Sequence, residues 1–139
     1  MSFVSTLLSK GPSTPLSRYT TLNGAFYIAN GLLLYAWPGA AQVLLFAEPF
    51  EAGEAGLVRL VGFTLAVVGW FYAMGGRTGA DSFGLATVVD RVLVPFFLVP
   101  LALTGAVDPH VVLPIAVLDP VLGLGAFLIW KRQSAAVSR

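Results

Sequence analysis

The stretch ATVVDRVLVPFF, residues 86–97, sets Asp90 and Arg91 side by side in an otherwise apolar run. On insertion scales a charge at the centre of a spanning helix costs about 2.5–3.5 kcal/mol. Such residues therefore turn toward the protein interior and mark a polar site or a structural pair. Neighbours on a helix project about 100° apart, so Asp90 and Arg91 cannot serve one face together. Four residues on, Pro95 removes the N–H that would meet the Arg91 carbonyl, which predicts a kink. A second run, IAVLDPVLGLG at residues 115–125, carries Asp119 at a similar depth. Because proline disfavours helical geometry in the residue before it, Asp119-Pro120 reads either as a simple kink steadied by Asp119 or as a break with a second half-helix beyond it.

The bulk of the chain supports a membrane reading. Of its 139 residues 57% are hydrophobic and 11% charged, and the mean hydropathy is +0.83. Soluble domains carry about 25% charged residues. A span needs about 20 residues. The expectation is an all-α integral membrane protein: an up-down bundle of four transmembrane helices in one domain, residues 16–132. Its spans fall at about 16–37, 55–75, 83–104 and 109–130. An amphipathic N-terminal segment, 1–15, precedes them, and a cytoplasmic tail, 133–139, follows. The first apolar run is too long for a signal peptide and contains Asn23 and Asn30, so it reads as a retained span.

The formal net charge is +1 and the basic residues are dispersed, which excludes nucleic acid as a partner. No cysteine is present, which excludes disulfides, thiolate metal sites and thiol catalysis.

Several faces carry information. Asn23, Tyr27 and Asn30 follow i, i+4, i+7 spacing on the first span, with Gly24 and Gly31 beside them. Such a face reads either as hydrogen-bonding glue between helices or as a ligand lining. On the second span Arg59, Gly62, Ala66, Gly69 and Ala73 form an i, i+3, i+7, i+10, i+14 row. The small residues predict close approach of another helix, from this chain or a second copy. Arg59, near the boundary, either snorkels to the headgroups or faces a cavity. Phe3, Val4, Leu7 and Leu8 give the N-terminal piece an apolar side, expected in the interface plane and stopped by Gly11, Pro12 and Pro15. AAQVLLF, residues 40–46, predicts a short surface helix, and Asp108-Pro109 a capped helix start.

Lys10, Arg18, Arg77, Lys131, Arg132 and Arg139 all fall on one side of a four-span topology, opposite Glu48, Glu51, Glu54 and Asp108. The positive-inside rule then puts both termini in the cytoplasm, and the membrane is read as a bacterial inner membrane. Under this topology Arg91 and Asp119 meet near the midplane as an ion pair, leaving Asp90 to Thr87, Asn23 or Asn30.

Catalytic templates find little to match. His110 is the single histidine. It reads as an interfacial residue, with a lone axial haem ligand as the alternative. Glu48, Glu51 and Glu54 read as a solvated loop rather than a hard-cation site. No nucleophile or metal set accompanies Asp90 and Asp119. No cofactor or metal is expected.

GLVRLVGFTLAVVGWFY, TVVDRVLVP and AVLDP, within residues 56–130, resemble uncharacterised small four-span bacterial membrane proteins. That resemblance implies no activity. Small multidrug resistance transporters and dual-topology fluoride channels are similar in format alone. The embedded glutamate of the former has no counterpart here, and the charge bias opposes dual topology.

The leading expectation is a bundle that binds, and moves, a small or lipid-like molecule at a polar centre. The contacts would be Asn23, Tyr27, Asn30, Arg59, Asp90, Arg91 and Asp119. The second is an accessory subunit that docks on a partner, or on itself, through Gly62, Ala66, Gly69 and Ala73. A membrane enzyme is third.

Overall fold

The computed structural model describes residues 3–46, 48–51 and 53–137. It is all-helical among them: α1 (Phe3–Leu7), α2 (Pro15–Ala36), α3 (Ala40–Leu45), α4 (Glu54–Arg77), α5 (Asp81–Leu103) and α6 (Pro109–Val137). Three of these, α4, α5 and α6, are long and apolar enough to cross a membrane. The chain is thus consistent with an integral membrane protein. Large apolar side chains such as Phe63, Phe71, Phe96, Phe97 and Leu124 point outward, as a helix surface in contact with lipid requires.

Helix α2 matches the others in length, with 22 residues, but Ser17, Arg18, Thr20, Thr21, Asn23 and Asn30 dilute its apolar character. Its start is sharply defined. Thr14 caps it through a reciprocal pair of bonds, the Ser17 N–H to Thr14 Oγ1 (3.1 Å) and the Thr14 N–H to Ser17 Oγ (2.9 Å). Pro15 supplies a helical φ at the first position.

The helices pack as two close antiparallel pairs, α2 with α4 and α5 with α6, which meet where α2 crosses α6. The α2–α4 seam runs on glycine. A Cβ at Gly24 would lie 2.4 Å from the Ala73 nitrogen, and one at Gly31 would lie 2.5 Å from that of Ala66. Reciprocally, Gly62 faces Tyr35 and Gly31, and Gly69 faces Ile28 and Gly24. The backbones approach so closely that any side chain at these points would occupy the neighbour's main chain. By contrast α4 and α5, though joined by a short turn, touch sparsely.

The basic end is tied by side chains. Gln133 accepts from the Leu16 N–H (3.3 Å) and donates to Asp81 (2.9 Å), so α6 grips the first turns of α2 and α5. At the opposite end the Asp108 carboxylate accepts from the backbone N–H groups of His110 (2.8 Å) and Glu48 (3.2 Å). These bonds, His110's foremost, hold the Asp108 carboxyl below its ordinary range.

Of the two readings of Asp119-Pro120 the break is corrected: helix α6 runs unbroken through Pro114 and Pro120. Pro120 forfeits one intrahelical bond, while the Asp119 carboxylate is engaged by a tyrosine rather than capping a half-helix. Helix α6 also continues past Trp130 to Val137, so most of the expected tail is helical. The N-terminal piece is a single short turn of helix, Phe3–Leu7, with Phe3, Val4 and Leu7 exposed.

Candidate functional site: an arginine between two tyrosines

Arg91 lies ten residues into α5 and Asp119 ten residues into α6, each about 15 Å along its helix. That is half of a hydrocarbon core of about 30 Å. Arg91 is 1% exposed, the bulkiest of the fully buried side chains. Its stem crosses α6 at Gly123, where an added Cβ would come 3.4 Å from the Arg91 Cβ. The guanidinium then reaches α2 and α4. Its carbon stands 4.8 Å from the centre of the Tyr72 ring and 5.7 Å from that of Tyr27. The two rings meet edge to face at 5.5 Å. A desolvated cation over such faces gains about 2 kcal/mol.

Each tyrosine hydroxyl donates to a carboxylate, Tyr27 to Asp119 and Tyr72 to Asp90. Asp119 is buried, whereas Asp90 is exposed on the outer side of α5. The 100° between neighbours accounts for that split: turning Arg91 inward sends Asp90 to the edge of the bundle. The centre is therefore enclosed, and only Asp90, beside the sparse α4–α5 contact, reaches the outer surface.

The expected Arg91–Asp119 ion pair is absent among the described residues. The nearest to one is the His110–Asp108 contact, 3.0 Å apart at the helix end, which is an ion pair only when the imidazole is protonated. Nε and both Nη atoms of Arg91 are buried with no hydrogen-bond partner. Guanidinium donors are never deprotonated in proteins, and burying them without acceptors is costly. Tyr27 and Tyr72 have taken the carboxylates that the arginine would otherwise use.

Of the residues expected to line a site, the fold gathers Tyr27, Asp90, Arg91 and Asp119. Asn23 is buried one turn below Tyr27, its Nδ2 without a partner. Asn30 stands apart and donates to the Phe26 carbonyl of its own helix (2.8 Å). Arg59 lies at the far end of α4, donating to the Tyr35 carbonyl (2.5 Å), where it closes the last turn of α2. Asp90 finds none of Thr87, Asn23 or Asn30; Thr87 bonds the Gly84 carbonyl. Tyr72 was missed. Its signal was available, since Gly62, Gly69, Tyr72 and Gly76 are the buried residues of α4 and fall at i, i+7, i+10, i+14. Tyr72 thus extends the small-residue row into the centre.

No group of three or more potential metal ligands occurs among the described residues. No family model, curated protein or solved structure matches the chain.

Proposed function

We propose that this chain is a small polytopic membrane protein that binds, and moves, a lipid-like molecule whose polar head offers hydrogen-bond acceptors to Arg91. In this reading α2 is the fourth span. Its 22 residues cover about 33 Å, enough to cross, and Ser17, Thr20, Asn23 and Tyr27 among its polar residues are buried. Both termini then lie on the cytoplasmic side of an inner membrane, by the excess of Lys and Arg at that end. The short α1 turn rests in the interface plane.

The observation that carries the proposal is the buried guanidinium with no acceptor on any nitrogen. A carboxylate, phosphate or carbonyl oxygen would satisfy it, and Arg is the side chain best shaped for such groups. The sparse α4–α5 contact, with Asp90 exposed at its edge, is the side on which a molecule with an apolar tail enters from the bilayer. Tyr27 and Tyr72 hold Asp119 and Asp90, which keeps the guanidinium available.

The accessory-subunit reading would need a different face, because α2 of the same chain covers Gly62, Ala66, Gly69 and Ala73.

Native mass spectrometry of the detergent-purified chain tests the proposal. A bound species of defined mass is expected on the wild type and lost from Arg91→Gln. A wild-type spectrum free of adducts, or one unchanged by the substitution, would overturn it.

A further inference from the structure

Away from the tyrosine–arginine centre, an open cleft of about 380 Å³ lies at the basic end, where the linker before α2, the start of α2 and the end of α4 converge. Three cations line it, Lys10, Arg18 and Arg77, and no carboxylate does. Two of the cations are held in place by the chain itself. Arg18 Nε donates to Ser13 Oγ (2.8 Å), and an Arg77 Nη donates to the Leu8 carbonyl (2.9 Å). The Gly11 N–H in turn donates to the Arg77 carbonyl (2.9 Å), which clamps the linker onto the end of α4. Arg77 Nε is buried with no partner. Three positive charges without a counter-charge, one carrying an unused donor, form a site for an anion.

The position of the cleft selects the kind of anion. Thr21 and Leu22 carry the lining from the polar end onto the outer side of α2. Leu22 is 68% exposed, and Phe26, one turn further, is 45% exposed. A polar, cationic mouth thus continues into an apolar strip running toward the middle of the bundle's outer surface. Basic pockets between helices at the cytoplasmic side hold anionic lipid headgroups, whose phosphates sit at that level.

We infer that this cleft binds the phosphate of an anionic phospholipid, with Lys10, Arg18 and Arg77 on the headgroup and one acyl chain along Leu22 and Phe26. The site rests on the membrane reading and not on Arg91, and it binds a resident lipid rather than the molecule proposed for the centre.

The test is native mass spectrometry of the full chain in neutral detergent, titrated with phosphatidylglycerol or phosphatidylcholine of the same acyl length. The wild type should take up the anionic lipid at about tenfold lower concentration or better, since each basic side chain near an anionic surface is worth about fivefold. The double variant K10Q/R18Q should lose most of that preference. K131Q/R132Q, which removes two charges from the same end but outside the cleft, should keep it. Equal uptake of the two lipids by the wild type would overturn the inference, and this comparison stands whether or not either variant folds. Equal loss in both double variants would also overturn it, reducing the effect to general surface charge. Inorganic phosphate that raises the melting temperature of the wild type, without any preference for the anionic lipid, would contradict a lipid occupant in favour of a free anion.

Discussion

The two seams of helix α4 differ in what closes them. Against α2 it presents Gly62, Gly69 and Gly76, and backbone meets backbone along the whole contact. Against α5 it presents Tyr72 and Gly75, over which Phe83 of α5 fills the space. There the contact is made by side chains, a ring edge and the Tyr72–Asp90 bond, with Asp90 exposed at the edge. Lipid does not favour one apolar contact over another, so helices in a bilayer hold together through close packing and polar pairs. The first seam uses close packing and leaves no room for chemistry. The second forgoes it, and the unsatisfied charge of Arg91 lies beside it.

Breaking the first seam should have the largest effect. Gly69→Leu drives a side chain into the Ile28 nitrogen and the Gly24 carbonyl, since even its Cβ would lie 2.6 Å and 2.7 Å from them. Overpacking typically costs about 1–3 kcal/mol and more where backbone is the obstacle. A loss of about 3 kcal/mol or greater, or failure to fold, is expected in denaturant unfolding from detergent micelles. Unchanged stability would mean that α2 and α4 do not meet through this row.

Breaking the tyrosine–carboxylate bonds around Arg91, of which Tyr72–Asp90 belongs to the second seam and Tyr27–Asp119 joins α2 to α6, should be milder, and graded by burial. Tyr27→Phe strands the buried Asp119 carboxylate, whereas Tyr72→Phe frees an Asp90 already at the edge. Interhelical hydrogen bonds in bilayers average about 0.6 kcal/mol and reach about 1.7. Tyr27→Phe should fall toward the upper figure and Tyr72→Phe toward the lower, as read from melting midpoints. The reverse order would show that the α4–α5 side is the tighter one.

The smallest effect belongs to the far end. The Asp108 carboxyl, held below its ordinary range by the His110 and Glu48 N–H groups, stabilises the fold while ionised. Its contribution is present above the unfolded-state pKa and is lost as pH falls through the lower folded-state value, a window below about pH 4. Wild type and Asp108→Ala should therefore converge in stability on acidification through that window. A gap between them that persists unchanged down to pH 2 would remove the carboxylate from the account.

Much of the fold was legible because long apolar helices announce themselves by length and apolarity, and the start of α6 by Asp108-Pro109. The centre was legible only in part. Asp90, Arg91 and Asp119 stand out as charges in apolar runs, and their depth follows from counting residues. Their partners do not follow from counting. Opposite charges invite pairing on paper, but rotation about each helix axis decides which groups meet. The glycine contacts set that rotation by locking α2 against α4, which brings Tyr27 and Tyr72 together over Arg91. Tyr72 itself reads as an ordinary aromatic near a span end until it is recognised as part of the Gly62–Gly69–Gly76 line. The break weighed as one alternative at Pro120 does not occur for a related reason: one lost backbone bond is a small loss for a helix held at Asp119, Gly123 and Gly125 by side chains of α2 and α5.

The central claim is that Arg91 takes the acceptor end of an amphiphile arriving from the bilayer. Its most direct test is a melting-temperature titration in neutral detergent with dodecanoate and with dodecylammonium, which share a chain length and differ in the sign of the head. Dodecanoate should raise the melting temperature of the wild type and leave Arg91→Gln unmoved, with dodecylammonium giving no specific shift in either. Stabilisation by dodecylammonium instead, preserved in Arg91→Gln, would contradict the account and reassign the centre to Asp90 and Asp119 as a cation site.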